Sequence, residues 1–224
     1  MFGKLITILA LFCLLASISR GQSVNEARGT EKQPIIDSRM SKTQVFEGLD
    51  PACPPEIRKR QRIVKVKYHS FDAKIHQGQI VVDMDLVGDI KSIFKLALKE
   101  KFPIHSVIPV SHSQFRKDGR WDDNLSMAAN NTSGFNYREK TGGGSLSNHA
   151  YGRAIDINTV QNPYIKGKLV LPPNTRYDPH SSGTLTAESP IVKKFLELGW
   201  TWGGSWESLK DYQHFEKGIE KSLR

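Results

Sequence analysis

The chain is poor in cysteine. Only two of its 224 residues are cysteines, Cys13 and Cys53, and Cys13 lies in an N-terminal segment that we expect to be removed. A single remaining thiol excludes an internal disulfide, so the fold must depend on its hydrophobic core, with or without help from a metal ion. Cys53 precedes a proline, and we interpret it as a small packed residue rather than as a nucleophile.

The chain also lacks an apolar run long enough to span a bilayer comfortably. Lys4 is followed by an uncharged apolar stretch, residues 5–18, which is shorter than a membrane span requires. A basic start and a run of this length are typical of a secretory signal peptide. We therefore expect residues 1–21 to be a signal peptide and the mature protein to be periplasmic, wall-associated or secreted, without an integral membrane span. A retained anchor is the alternative.

Acidic residues are in the minority, with 23 Asp and Glu against 32 Lys and Arg, and the formal net charge is +9. Loss of Lys4 and Arg20 with the signal peptide lowers this charge to +7. A basic exported protein is attracted to anionic polymers such as the cell wall, although a high pI also serves general solubility. No stripe of interleaved basic and aromatic residues favours nucleic acid, so we expect no nucleic-acid partner.

Composition divides the mature chain into two parts. Residues 22–47 are polar and aperiodic, which predicts a flexible linker. Residues 48–224 have a globular composition and the length of one domain. Apolar alternation in 64–68 and the apolar stretch 78–84 predict strands, and 189–200 has the spacing of a short helix. Short strands and few helices, without regular alternation, favour a single compact α+β domain with a small antiparallel sheet flanked by helices. No surface stripe demands a dimer, and we expect a monomer.

The stretch SNHAYGRAIDIN, residues 147–158, contains an aspartate in an apolar setting. Asp156 lies between two isoleucines in a pattern typical of a half-buried strand, and a buried charge is costly unless something pairs with it. A cation would supply the partner, and His149 can reach the same ion from the preceding turn. His214, just before an aromatic in YQHFE, has a similar setting. Hydrogen bonding to the backbone is the alternative for each residue taken alone.

Two imidazoles and one carboxylate are a suitable ligand set for a catalytic zinc ion (Zn²⁺), which keeps a further position for water. Asp211 lies three residues before His214. A carboxylate there, not itself bound, can accept a proton from metal-activated water and pass it to a leaving amine. These residues therefore predict metal-assisted hydrolysis.

Several further motifs occur in one order along the chain: SMAANNTSGFNYR, NHAYGRAIDIN, QNPY, GWTWGGSW and DYQHFE. The segment SNHAYGRAID resembles the Ser-x-His-x-x-Gly-x-Ala-x-Asp motif of the zinc D-alanyl-D-alanine carboxypeptidase family. That family includes VanY-like carboxypeptidases and L-alanyl-D-glutamate endopeptidases. The resemblance covers about residues 48–218 and implies a Hedgehog/DD-peptidase-like α+β domain.

The resemblance also implies roles for individual residues. The metal triad of the family corresponds to His149, Asp156 and His214, and its catalytic acid/base corresponds to Asp211. Some relatives carry glutamate at this last position. The arginine that supports the scissile carbonyl or a substrate carboxylate corresponds to Arg138, for which an ordinary surface ion pair is the alternative.

Further substrate contacts are expected from Ser147, Trp202 and Tyr212. Ser147 opens the motif and either binds substrate or holds the loop. The tryptophans near Gly203 and Gly204 form either a pocket wall, where the backbone approaches the peptide closely, or part of the core.

Together these residues predict an exported zinc metallopeptidase that hydrolyses peptide bonds in peptidoglycan stem peptides. Removal of a terminal D-alanine and cleavage of the L-Ala-D-Glu bond both stay open. The alternative from another class is a non-catalytic zinc-binding module that attaches to the wall or to a partner protein. A basic polymer-binding protein without a metal would leave Asp156 unexplained.

Overall fold

The computed structural model describes residues 28–218, and the predicted signal peptide, residues 1–21, lies outside the described part. Among the helices formed by residues 28–218, none combines the length and the hydropathy that a membrane span needs.

Short strands and a few helices make up the described part of the chain. The strands are β1 (Ile35–Ile36), β2 (Gln61–His69), β3 (Ile75–Asp83), β4 (Ser106–Val107), β5 (Arg116–Lys117), β6 (Arg120–Trp121), β7 (Asn131–Thr132), β8 (Ala154–Asp156), β9 (Tyr164–Lys166), β10 (Leu169–Leu171), β11 (Thr201–Trp202), β12 (Lys210–Asp211) and β13 (His214–Glu216). The α-helices are α1 (Pro55–Arg60), α2 (Val87–Lys99), α3 (Asp123–Ala128) and α4 (Pro190–Glu197). Short 3₁₀ helices occupy Gln44–Phe46, Met84–Leu86, Ser113–Phe115, Asn148–Tyr151 and Gly203–Ser205.

This composition confirms the predicted single α+β domain. The strands are distributed over three three-stranded sheets and two two-stranded pairs, whereas the sequence predicts one small antiparallel sheet. Two of the pairings, β1 with β3 and β4 with β7, are parallel. The long irregular segments between strands interrupt the hydrogen-bonded ladders, and this divides the sheet into small pieces.

The longest pairing joins β2 to β3 in antiparallel register from Gln61↔Asp83 to His69↔Ile75. Val64, Val66 and Tyr68 alternate into the core, as the sequence pattern predicts. Helix α2 packs against β2 through one apolar face, and its buried residues are Ile90, Ile93, Phe94 and Ala97. This layer forms the side of the core that lies behind the functional residues.

The described part of the expected linker, residues 28–47, packs against the domain instead of leaving it. Ile35 and Ile36 pair with β3, and Val45 is buried. The hydroxyl of Tyr68 donates a hydrogen bond to Asp37. The structure therefore differs from the prediction in this region, because a few isolated contacts hold the segment and none of them produces a periodic pattern.

A second small sheet positions the functional residues. Strand β13 lies between β11 and β8, and its register places His214 opposite Asp156 and Phe215 opposite Ile155. Phe215 and Ile155 are fully buried in the core, where Phe215 stacks on Phe195 of α4 with ring centroids 3.8 Å apart. Since side chains alternate along a strand, Asp156 and His214 share the opposite face of the sheet.

Gly152 ends the 3₁₀ helix that carries His149 and leads into β8. Its φ is +69°, and its carbonyl accepts a hydrogen bond of 2.9 Å from the backbone amide of Asp83. A Cβ at this position would lie 2.1 Å from Gln61 Oε1 and 2.7 Å from the Asp83 nitrogen. Both the backbone conformation and the close packing therefore require glycine.

We expect Gly152→Ala to lower the free energy of unfolding by about 2–4 kcal/mol, because overpacking adds to the cost of a positive φ. Chemical denaturation measures the change. Gly167→Ala is the matched control, since Gly167 also has a positive φ (+58°) but a Cβ there meets no atom within 4 Å. Equal losses in the two variants would contradict the packing argument.

Candidate metal centre

Two histidines and one aspartate converge on the open face of β8 and β13. His149 Nε2 lies 3.1 Å from Asp156 Oδ2 and 3.2 Å from His214 Nδ1. His214 Nδ1 lies 3.0 Å from Asp156 Oδ1. All three residues are more than nine-tenths buried, and together they can hold a metal ion. The structure thus brings together the three residues that the sequence singles out.

The chemistry and spacing of this donor set fit a zinc ion. Zinc in catalytic sites takes three protein ligands from histidine, aspartate, glutamate or cysteine. With bonds of about 2.0–2.1 Å, the donors of a tetrahedral site lie roughly 3.3 Å apart. The donor separations of 3.0–3.2 Å in the cluster are close to this value.

Hydrogen bonds at the outer nitrogens orient both imidazoles toward the cluster. His149 Nδ1 lies 2.7 Å from the Gly134 carbonyl oxygen, and His214 Nε2 lies 3.0 Å from Glu216 Oε2. Since both partners are acceptors, these nitrogens carry the protons. The lone pairs of His149 Nε2 and His214 Nδ1 then point at the cluster, which is the usual arrangement around ligating histidines.

Glu216 is a site residue that the sequence reasoning missed. Besides accepting from His214, it accepts a hydrogen bond of 2.7 Å from Asn148 Nδ2. The signal that reveals it is strand alternation, because residues two apart in β13 share a face. A strand through His214 therefore places the carboxylate of Glu216 on the same face as the imidazole.

The carboxylates around His214 favour positive charge at the cluster. Burial lowers the pKa of His214, but hydrogen bonds to Asp156 and Glu216 outweigh this and raise it to about 10. Burial raises the pKa of Asp156, but the charges and hydrogen bonds of His149 and His214 outweigh that effect and hold it well below the usual range. An environment that stabilises an imidazolium also stabilises a bound cation.

Asp211 lies at the end of β12 and lines the same cavity as the cluster. Its Oδ1 is buried and has no hydrogen-bond partner within residues 28–218. Burial, and then the charge of Asp156, raise the pKa of the Asp211 carboxyl to about 6, against the opposing charges of His214, His149 and Arg138. A carboxyl that titrates this close to neutrality can both accept and return a proton.

The cavity has a volume of about 320 Å³, and both Arg138 and Ser147 line it. Arg138 Nη2 forms an ion pair of 3.0 Å with Asp123 Oδ2, and Asp123 Oδ1 accepts a hydrogen bond from Asn136. The Nε of Arg138 is buried without a partner in the described chain. Arg138 is thus anchored beside the cluster by Asp123, a residue that the sequence reasoning did not identify. Ser147 Oγ accepts a hydrogen bond of 3.3 Å from the His149 amide.

Trp202 and Tyr212, two of the expected substrate contacts, do not line the cavity. Trp202 is buried in the core and donates a hydrogen bond of 2.8 Å to the Tyr212 carbonyl. The Tyr212 ring stacks on Tyr177 with centroids 3.6 Å apart. Trp206 lines the cavity instead, with its ring centroid 5.6 Å from that of His214.

The two glycines before this tryptophan serve packing inside the protein. A Cβ at Gly204 would lie 2.2 Å from the Trp202 ring, and a Cβ at Gly203 would lie 2.5 Å from the Asp211 carbonyl oxygen. The sequence offers a close approach of the backbone to a bound peptide as one interpretation of these glycines. The contacts show that they admit the Trp202 ring and the Asp211 backbone.

A cavity with two histidines, one aspartate and a nearby acid of raised pKa has the features of a metal-dependent hydrolase. Residues 141–217 match a protein-family model described as D-alanyl-D-alanine carboxypeptidase. This match confirms the resemblance predicted from the motifs and points to a peptidase. The matched segment includes the cluster and Asp211 but begins after Arg138. No solved structure matches the chain.

Proposed function

We propose that the mature protein is an exported zinc metallopeptidase that hydrolyses peptide bonds in peptidoglycan stem peptides. His149, Asp156 and His214 hold the ion, and Asp211 is the general acid/base. One observation carries the proposal: the buried Asp211 Oδ1, unpartnered in residues 28–218, lies in the same cavity as a cluster that can hold a metal. The family match over residues 141–217 supports peptidase chemistry.

When bound, zinc supplies Lewis-acid chemistry that polarises the scissile carbonyl and makes a water molecule more acidic. Asp211 accepts a proton from the attacking water and later delivers it to the leaving nitrogen. Arg138, anchored by Asp123, donates to the carbonyl oxygen as negative charge develops there. The oxygen of water adds to the carbonyl carbon, the C–N bond breaks, and a carboxylate and an amine leave.

An expected export signal and the basic charge support this choice of substrate. The predicted signal peptide, residues 1–21, directs export, and the basic mature chain is attracted to an anionic wall. Both D-Ala-D-Ala carboxypeptidase and L-Ala-D-Glu endopeptidase activities fit the proposal, since hydrolysis of either bond would use the same metal ligands and the same general acid/base, Asp211.

Defined muropeptides test the function. The purified mature chain is incubated with them in zinc and, separately, in chelator, and the products are identified by mass spectrometry. Loss of one alanine identifies the carboxypeptidase, and release of a longer fragment identifies the endopeptidase. Absence of any product in zinc, or equal product in chelator, contradicts the proposal.

We expect Glu216→Gln to weaken zinc binding by about 10- to 100-fold, because it removes the carboxylate that orients His214 and raises the basicity of that ligand. Competition with a chelating dye measures the dissociation constant. Glu207→Gln is the control, since Glu207 is exposed and its replacement removes the same charge outside the cavity. Unchanged affinity in the Glu216 variant would remove its positioning role.

A further inference from the structure

Two positively charged side chains line the cavity, and they differ in how many of their hydrogen-bond donors are already used. Arg138 and Lys140 both line it. Arg138 has an ion pair with Asp123 and a hydrogen bond with the Glu139 carbonyl, and only its Nε, the donor available to the scissile carbonyl, has no partner in the described chain. The ammonium group of Lys140 has neither a hydrogen bond nor an ion pair with any residue between 28 and 218. The charge of Lys140 contributes to lowering the pKa of Glu216, but the ammonium donors keep no hydrogen bond within residues 28–218 and can bind a group that enters the cavity.

A short hairpin presents Lys140 to the cavity. Glu139 pairs with Leu146, the Ser147 amide donates to the Arg138 carbonyl, and the Lys140 amide donates to Ser145. Residues two apart on an extended segment share a face, which is why Arg138 and Lys140 both line the cavity. Their backbone positions are separated by roughly 6.6 Å, two residues of extended chain. Lys140 is exposed whereas Arg138 is only partly exposed, so Lys140 lies at the solvent side of the cavity.

The remaining charge of the cavity makes a free cation important for an anionic ligand. Its lining includes four carboxylates, those of Asp123, Asp156, Asp211 and Glu216. Three of them are in contact with cationic groups, Asp123 with Arg138 and the other two with His214, whereas Asp211 Oδ1 has no partner in the described chain. A negatively charged substrate group entering the cavity meets the charge of Asp211 at short range, where burial weakens screening. An unpaired ammonium at the outer end of the cavity offsets the repulsion and offers hydrogen-bond donors suited to a carboxylate.

We propose that Lys140 is a specificity-determining residue that binds a substrate carboxylate within about two residues of the scissile bond. The inference rests on the proposed peptidase function and adds to it the substrate group that the enzyme recognises, a carboxylate. A stem peptide offers such a group from two sources. One is the free carboxylate of the terminal D-alanine, and the other is the α-carboxylate of the γ-linked D-glutamate.

Two matched pairs of peptides separate these sources. One pair ends in D-Ala-D-Ala as the free acid or as the amide, and the other contains L-Ala linked to D-Glu or to D-isoglutamine. Binding to the zinc-loaded Asp211→Ala chain is measured by calorimetry, with and without Lys140→Gln. Lys91→Gln is the control, because Lys91 is an exposed lysine of α2 and does not line the cavity.

We expect the chain with Lys140 to bind the acid of one pair about tenfold more tightly than the amide, the effect of one charge-assisted hydrogen bond. Lys140→Gln should reduce this preference to less than about twofold, and Lys91→Gln should leave it unchanged. The pair that shows the effect identifies the source of the carboxylate. Equal binding of acid and amide in both pairs, binding of neither, or a preference that survives Lys140→Gln overturns the inference.

Hydrolysis by the chain with Asp211 intact, followed in parallel, tests the underlying function separately. If that chain cleaves none of the peptides while the Lys140-dependent preference is present, carboxylate recognition stands and the peptidase proposal fails. If it cleaves them with no dependence of binding on Lys140, the peptidase proposal stands and the role of Lys140 fails.

Discussion

Replacing His214 by alanine is expected to remove the metal from the purified protein and to reduce hydrolysis by at least about 10³-fold, since the metal supplies several kcal/mol of transition-state stabilisation. The reason is both chemical and electrostatic. The variant loses one of three donors, and the carboxylates of Asp156 and Glu216 both lose the imidazole that they contact. Metal analysis after dialysis gives the occupancy, and hydrolysis of the muropeptide identified above gives the rate.

The control for this variant is His180→Ala, which removes an exposed histidine outside the cavity. It should retain one zinc per chain and normal turnover. Circular dichroism of both variants separates loss of metal from loss of fold. Full zinc occupancy in the His214 variant would show that the ligand assignment is wrong.

Asp211→Ala is expected to give the opposite combination, with zinc retained and hydrolysis reduced by about 10²- to 10⁴-fold, the usual contribution of a general acid/base. Asp211 is not among the three clustered donors, so its removal leaves them in place. Its buried Oδ1, which has no partner within residues 28–218, is the proposed proton acceptor that the variant lacks. Metal content and kcat are measured on the same preparation.

Asp211→Asn extends this test because asparagine keeps the size of the side chain and cannot take up the proton. The two variants should therefore lose activity to a similar extent. Near-normal turnover in either would remove the acid/base role. A non-catalytic wall-binding module predicts instead that Asp211→Ala leaves wall binding unchanged and that the unsubstituted chain hydrolyses no muropeptide.

The metal ligands can be predicted from the sequence because the local strand pattern around each of them already indicates a buried polar side chain. Asp156 and His214 each stand next to apolar residues in a strand, and such a setting marks a polar residue with a specific partner. The structure places the two directly opposite each other. The α+β fold follows in the same way from short alternating strands and a few amphipathic helices.

The outer parts of the site depend on tertiary packing, which a single sequence does not display. Trp202 and Trp206 are equally aromatic, yet only Trp206 lines the cavity, because the Trp202 ring fills the core beside Phe215. Asp123 comes close to Arg138 from a separate helix. Residues 28–47 attach through single contacts without a period. In each case the deciding neighbour lies elsewhere in the chain.

Because β8 and β13 carry Asp156 and His214, metal binding requires that these two strands pair in their native register. A slip of one residue between these strands would turn Ile155 or Phe215 toward the cavity and a charged side chain toward the core. Such a misaligned chain would lose hydrophobic burial and the ligand set in a single step. During refolding, tight zinc retention should therefore appear only in molecules whose two distant strands have already found their native alignment.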